Sequence, residues 1–582
     1  MATVDPVTFS VIWGGLLSAS AEMGSTLERT AYSVVVREGS DFSTGIFDAN
    51  GRMVAQGDYS PGHLGSMAYT VNRMLDYYDL ADFKPGDAII CNDPGIGSGH
   101  LPDIFMVSPV FHAGRLIGYA VNIAHHADIG GGSAGGQEIV GISETYQEGL
   151  RLLPVKLFDG GVAVEDMFRL IRGNVRVPEV LGDLRAQYAS NMTAAARMQA
   201  LAAQYGPDVL AQAMDEIIGR TETAMREAIA ALPKGTFRFV DHLDDTGPDT
   251  EPVRFEVAIT ISDDKVVCDW TGTSEARPAG INCYLQYTRA YCLVAVKAAT
   301  LPSLPQNQGA LNCIEVIAPL GSYVNPHPDT ASGGRAINSH RLYEVLMGAL
   351  AQAVPDRVIP ANAHFFNTNI GGRKHPRTGK PFVAWDIVVG GVGARADRDG
   401  QEATSSPWNG TNIPIEAQEI SNPVVVERVE LIPDSAGPAK FRGGMGMRKD
   451  VRMLAETSTL YNLGDRHRFA PYGLLGGEPA ALGSTLLNPG TPAERVLASK
   501  GTYELKKGDV ISWRTSGAGG FGRPFERDPA AVLKDVRAGL ISVAAAQRDY
   551  AVVVAGDAVD QAATVALRRQ AAALAPESSA TA

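Results

Sequence analysis

Two long apolar runs, DAIICNDP (87–94) and RLIGYAVNIAHH (115–126), each break into a glycine-rich stretch that carries histidine and aspartate. Apolar runs of this kind, without a polar face, read as strands buried on both sides of a sheet. The first passes through GIGSG to His100 and, three residues on, Asp103. The second delivers the doublet His125-His126, followed by Asp128. Imidazole and carboxylate together are the ligand set of a divalent metal that activates water or polarises a carbonyl. Neighbouring side chains on a strand face opposite ways, so one histidine of the doublet meets such a site. The other, with Asp128, is a candidate for supporting a ligand or moving protons.

A chain of 582 residues is too long for one core and predicts two to four domains. The expected class is α+β, multidomain, with mixed sheets, helical segments and a β-rich C-terminal half. Residues 1–232 form the metal-bearing region: a helix over 6–31, two strands joined by DANG, a helix from HLGSMAYTVNRMLDYY, and a helical stretch over 183–232 broken near Gly206-Pro207. Residues 233–422 are mixed, with alternating strands in FRFVDHL and VRFEVAITISDDKVVCDWTGTS and a buried helix over 282–301. Residues 423–525 are β-rich. Residues 526–582 form a helical hairpin, with Asp528 as N-cap and Pro529 at N1, and a disordered tail APESSATA.

Composition narrows the partners. A net charge of −13 argues against nucleic acid or an anionic membrane surface. No run approaches the ~20 apolar residues of a membrane span, and the N-terminus lacks the basic start of a signal peptide. The five cysteines are odd in number and form no CxxC pair, which fits a reducing cytoplasm and inert thiols. Phosphate motifs are weak. Gly130-x-Gly132-x-x-Gly135 opens no helix, and Gly517-x-Gly519-x-x-Gly522 meets Pro524. The only Gly-Lys pair, Gly379-Lys380, is followed by Pro381 where a Walker loop has Ser or Thr. GxSxG and HExxH are absent. Asp41 in REGSDFS and His63 in SPGHLGS are weaker site candidates on their own, each as readily a cap or a helix start. Arg335, Arg395 and Arg466 are candidate anion binders whose commoner role is a structural ion pair.

In DPVTFSVIWGGLLSASAEMGSTLERTAYSVVVREGSDFSTGIFD, AQGDYSPGHLGS, NDPGIGSGHLPD, NIAHHADIGG, NCYLQYTRAY, GGVGARADRDG, AKFRGGMG and GDRHRFAPYGLLGG, the chain resembles the hydantoinase B family along nearly its whole length. The family comprises the B-type chains of ATP-dependent N-methylhydantoinases, the matching part of 5-oxoprolinases, caprolactamase chains, and chains of acetone and acetophenone carboxylases. The resemblance implies one divalent metal, zinc or manganese, on Asp41, His100, Asp103 and His125. It leaves His126 and Asp128 as the catalytic proton carriers. It implies a hydantoinase A-type partner, in a heterotetramer or larger assembly, that binds ATP and magnesium, which explains the missing phosphate loop. The implied reaction is hydrolysis of a small cyclic amide: the partner phosphorylates the amide oxygen and metal-activated water attacks the ring carbon. Alternatives are a ketone carboxylase subunit and a non-catalytic subunit whose metal braces a loop.

Overall fold

The computed structural model describes residues 4–57, 59–97, 99–404, 406–408 and 412–574; the tail expected to be disordered lies outside them. The N-terminal region is built on a seven-stranded antiparallel sheet. Its strands are β1 (Phe42–Phe47), β2 (Met53–Gln56), β3 (Ala88–Cys91), β4 (Asp103–His112), β5 (Arg115–His125), β6 (Val155–Asp159) and β7 (Val162–Ala163), in the order β2-β1-β5-β4-β3-β6-β7. Both apolar runs are strands, as expected. Strand β4 is not legible in the sequence because Pro109 interrupts it; it nonetheless pairs along its length with β5.

Helices α1 (Pro6–Thr30), α2 (Pro61–Leu75), α3 (Glu179–Tyr205) and α4 (Pro207–Ala230) clothe this sheet. Asp5 caps α1 by accepting from the amides of Val7 and Thr8, with Pro6 at the first helical position. The break between α3 and α4 falls at Gly206, in the left-handed region at φ 87°, with Pro207 starting the next helix.

Alternation assigns the two faces. Ile46 and Ala120 pack with α1, α3 and α4, and Ala88, Ile90, Ile104 and Met106 continue that face against Leu184 of α3. Phe47, Ile89, Phe105, Val107, Val121 and Ile123 face the opposite way, against Met67 and Val71 of α2. Both faces are covered, which is why the strands read as unbroken apolar runs.

Beyond this unit, β8 (Gly235–Leu243), β9 (Val253–Ile261), β10 (Val266–Asp269) and β11 (Ile314–Ile317) form a four-stranded sheet, against which α5 (Leu285–Thr300) and α6 (Asn338–Leu350) pack. The β-rich part holds β12 (Phe366–Gly372), β13 (Phe382–Val388), β14 (Val424–Ile432), β15 (Gly446–Met453), β16 (Thr457–Leu463), β17 (Ser484–Leu487), β18 (Arg495–Leu497), β19 (Lys500–Lys506) and β20 (Val510–Arg514). One sheet runs β13-β12-β16-β19 and the other β14-β15-β20-β17-β18, so strands from either side of residue 422 share hydrogen bonds. The fold is α+β, with strand concentrated in the C-terminal part, as expected.

Asp528 caps the helix Pro529–Arg537, but the C-terminal element is more than a hairpin. A second helix, Val543–Tyr550, is followed by a two-stranded turn and a third helix, Gln561–Leu574. The paired strands there are only two residues each, too short to leave a periodic signal. No helix among the described residues is long and apolar enough to cross a membrane.

Candidate metal centre

Strand register brings the predicted residues together. Strands β1, β5 and β4 are neighbours, and Asp103 pairs directly with His125. The His125 amide donates to the Asp41 carbonyl at 2.9 Å, extending the β1–β5 pairing by one residue. Asp41, His125 and Asp103 therefore lie side by side at one end of three adjacent strands. By parity they share the face that carries Phe47, Ile123 and Phe105. His100 arrives from the loop before β4, and His63 from the first turn of α2. All five line one small cavity with Arg335.

Three donor atoms converge. His100 Nε2 is 2.9 Å from Asp103 Oδ1, His125 Nδ1 is 3.0 Å from the same oxygen, and the two ring nitrogens are 3.2 Å apart. Two imidazole nitrogens and a carboxylate oxygen at these separations, all buried, fit a small divalent cation. Asp41 lies just beyond this triangle: its Oδ1 is 3.8 Å from His63 Nε2, which is 3.4 Å from Asp103 Oδ2. The cavity volume is about 10 Å³, room for one ion or water.

The electrostatics favour ligation. Burial, reinforced by the Arg335 guanidinium, depresses the His100 pKa to about 4, so its ring is neutral at physiological pH and needs no deprotonation to bind. Its Nδ1–H donates to the Gly333 carbonyl at 2.8 Å, which leaves the Nε2 lone pair facing the centre. Burial works against the Asp103 charge, but His100, Arg335 and His63 outweigh it and hold the carboxyl well below the usual range. Arg335 pairs with Asp103 Oδ2 and stacks on the Tyr287 ring at 3.9 Å.

The remaining site candidates are elsewhere. His126 faces the other side of the sheet, where its Nε2–H donates to Gln187 Oε1 of α3 at 3.0 Å. Asp128 accepts from the amides of Gly130, Gly135 and Arg176 and from the Arg176 guanidinium, and so braces the glycine-rich loop. Arg466 is a structural ion pair, buried with Asp241 and Glu344; Arg395 is exposed. All five cysteines are buried, and burial pushes the thiols of Cys91 and Cys283 up to about 12.

Three further residues, which no sequence motif singles out, support His100 and His125. Gln137 Nε2 lies 3.2 Å from His125 Nε2, and Asn369 of β12 bonds the same Gln137 amide at 2.9 Å. Glu148 Oε1 accepts from the amides of Ser332 and Gly333, the latter in the residue whose carbonyl holds His100. Gln137 lies in a loop, Glu148 ends the short helix Thr145–Glu148 and Asn369 sits in a distant strand, and no local spacing ties them to the histidines.

Over residues 5–524 the chain matches the Hydantoinase B/oxoprolinase family, and it belongs to that family. It is 31% identical to the putative D-/L-hydantoinase B chain of Pseudomonas sp. strain NS671, across 95% of each chain. It is 30% identical to the beta chain of the caprolactamase of Pseudomonas jessenii, across 98% of this chain and all of the relative. The crystal structure of the ATP-dependent caprolactamase from that organism superposes with a TM-score of 0.89, covering 98% of this chain and 100% of that one. A nucleotide-free acetone carboxylase chain has a TM-score of 0.90 at 21% identity, covering 98% of this chain and 83% of that one, a likeness of fold.

Proposed function

We propose that this chain is the metal-bearing subunit of an ATP-dependent cyclic-amide hydrolase that opens a lactam, hydantoin or 5-oxoproline ring. The observation that supports this best is the buried convergence of His100 Nε2, Asp103 Oδ1 and His125 Nδ1. It stands in a chain aligned end to end with a caprolactamase chain. His100, Asp103 and His125 would hold one divalent ion, zinc or manganese, with Asp41 completing the set from the same cavity wall. Bound there, the ion supplies Lewis-acid chemistry that lowers the pKa of a water or polarises a carbonyl.

A ring amide is a poor electrophile, so an ATP-binding partner of the hydantoinase A type would first phosphorylate its oxygen. Within this chain, Arg335, itself stacked on the Tyr287 ring, offsets the negative charge of Asp103 and holds that carboxylate in place. His63 takes the proton-carrying role. Its Nε2 sits between the carboxylates of Asp103 and Asp41, and its Nδ1 has no hydrogen-bond partner among the described residues. In this reading His126 and Asp128, set towards α3 and the glycine loop, support the architecture and do not carry the proton.

Co-expression with the A-type partner, followed by a screen of cyclic amides and ketones with ATP, tests the assignment. Ring opening that requires ATP and no bicarbonate is the expected result. Bicarbonate-dependent carboxylation of a ketone, with no amide opened, would replace it with the carboxylase reading.

A further inference from the structure

His125 presents Nδ1 to the centre, so what happens at its Nε2 decides whether it can bind a metal. A ligating nitrogen needs its lone pair, which puts the ring proton on Nε2 and calls for an acceptor there. The group that meets Nε2 is the Gln137 side-chain amide, at 3.2 Å. Gln137 is in turn 2.9 Å from the side-chain amide of Asn369, and both residues are buried. His100 is locked by a backbone carbonyl, which can only accept. His125 is held by a group that can either donate or accept.

The chain of groups can run in either of two directions, and in the one seen here Asn369 Oδ1 is buried without a partner among the described residues. Without a metal, His125 Nδ1–H donates to Asp103 Oδ1 at 3.0 Å, Gln137 donates to Nε2, and Asn369 donates to Gln137 Oε1. With Nδ1 given to a cation, the proton moves to Nε2. Turning both amides by half a revolution then lets Gln137 Oε1 accept from Nε2–H while Gln137 donates to Asn369 Oδ1. The loop is built for this contact. Gly135 has φ 79°, and a Cβ there would come within 2.7 Å of the Asn369 amide, so only glycine brings Gln137 into place.

We propose that Gln137 and Asn369 form a reversible amide relay that sets the His125 tautomer and through it the metal affinity of the site. This rests on the reading of the centre as a metal site. Gln137 is a positioning residue; it does not touch the bound ion.

The test is Zn²⁺ affinity of the full chain, measured by chelator competition and independent of turnover, with thermal unfolding to verify folding. Gln137→Met removes both donor and acceptor and should weaken Zn²⁺ binding by about 10- to 100-fold. Gln137→Glu supplies a permanent acceptor and should match or exceed wild-type affinity. Asn369→Asp, which still accepts from Gln137, should stay within about threefold of wild type. Folded Gln137→Met with wild-type affinity would overturn the relay, as would Gln137→Glu falling as far as Gln137→Met. If either Gln137 variant fails to fold, Asn369→Leu decides: it removes the acceptor that turns Gln137 Oε1 towards His125, so a loss of about 10-fold supports the relay and wild-type affinity overturns it. A wild-type chain that binds no stoichiometric Zn²⁺ would instead overturn the metal reading itself.

Discussion

Glu148 should make the stability of this chain fall as pH rises, and Glu148→Gln should remove that slope. The carboxyl is buried behind the His100 loop, where one oxygen accepts two backbone amides and the other has no partner among the described residues. Burial pushes its pKa from the ordinary 4.5 up to about 8. The native state therefore keeps a proton that the unfolded chain releases above 4.5. The stability this contributes is complete below pH 4.5 and is lost as pH rises through about 8. At about 1.4 kcal/mol per pH unit, the loss between pH 5 and pH 8 is roughly 3.5 kcal/mol. For a chain of this length unfolding as one unit, that is a fall in Tm of ~3 °C. A neutral glutamine keeps the acceptor for both amides but has nothing to titrate. Its cost or gain should be a constant offset, with the difference between variant and wild-type Tm growing in the variant's favour from pH 5 to pH 8. Parallel Tm curves for the two proteins would refute the argument.

Arg466→Met should cost ~1.5–3 kcal/mol, because it removes one of the two guanidinium groups that Asp241 and Glu344 share while Arg341 keeps its bonds to both; a Tm equal to wild type would contradict it. Gly135→Ala should cost ~1–3 kcal/mol in backbone strain alone and also weaken Zn²⁺ binding by displacing Asn369, readable in one melting and one chelator-competition experiment. His126→Asn should lower Tm yet leave one zinc per chain, since its ring bonds Gln187 across the sheet from the ligands; loss of the metal would show that the face assignment is wrong.

Much of the site was legible because strand parity is a rule of the backbone. The alternation that separates His125 from His126 also puts Asp41 and Asp103 on the His125 face, once β1, β5 and β4 are known to be neighbours. That adjacency is set by sheet order, which local sequence does not encode, and Pro109 hid β4 altogether. His63 looked like a helix start, and it is one. Its second role depends on where α2 lies across the sheet. Gln137, Glu148 and Asn369 were invisible for the same reason: they act through contacts across 12 to more than 200 residues of chain. The Gly130–Gly135 pattern, which resembles a phosphate motif, instead lets the loop approach Asn369 closely.

Ring opening should depend on a divalent metal held by His100, Asp103 and His125. Elemental analysis and ATP-dependent amide hydrolysis should be measured on the same preparations of wild type and His100→Ala, each co-purified with the A-type partner. The wild type should carry one zinc or manganese per chain, and the folded variant should lose both metal and turnover. Wild-type turnover in a metal-free, folded His100→Ala variant would contradict it.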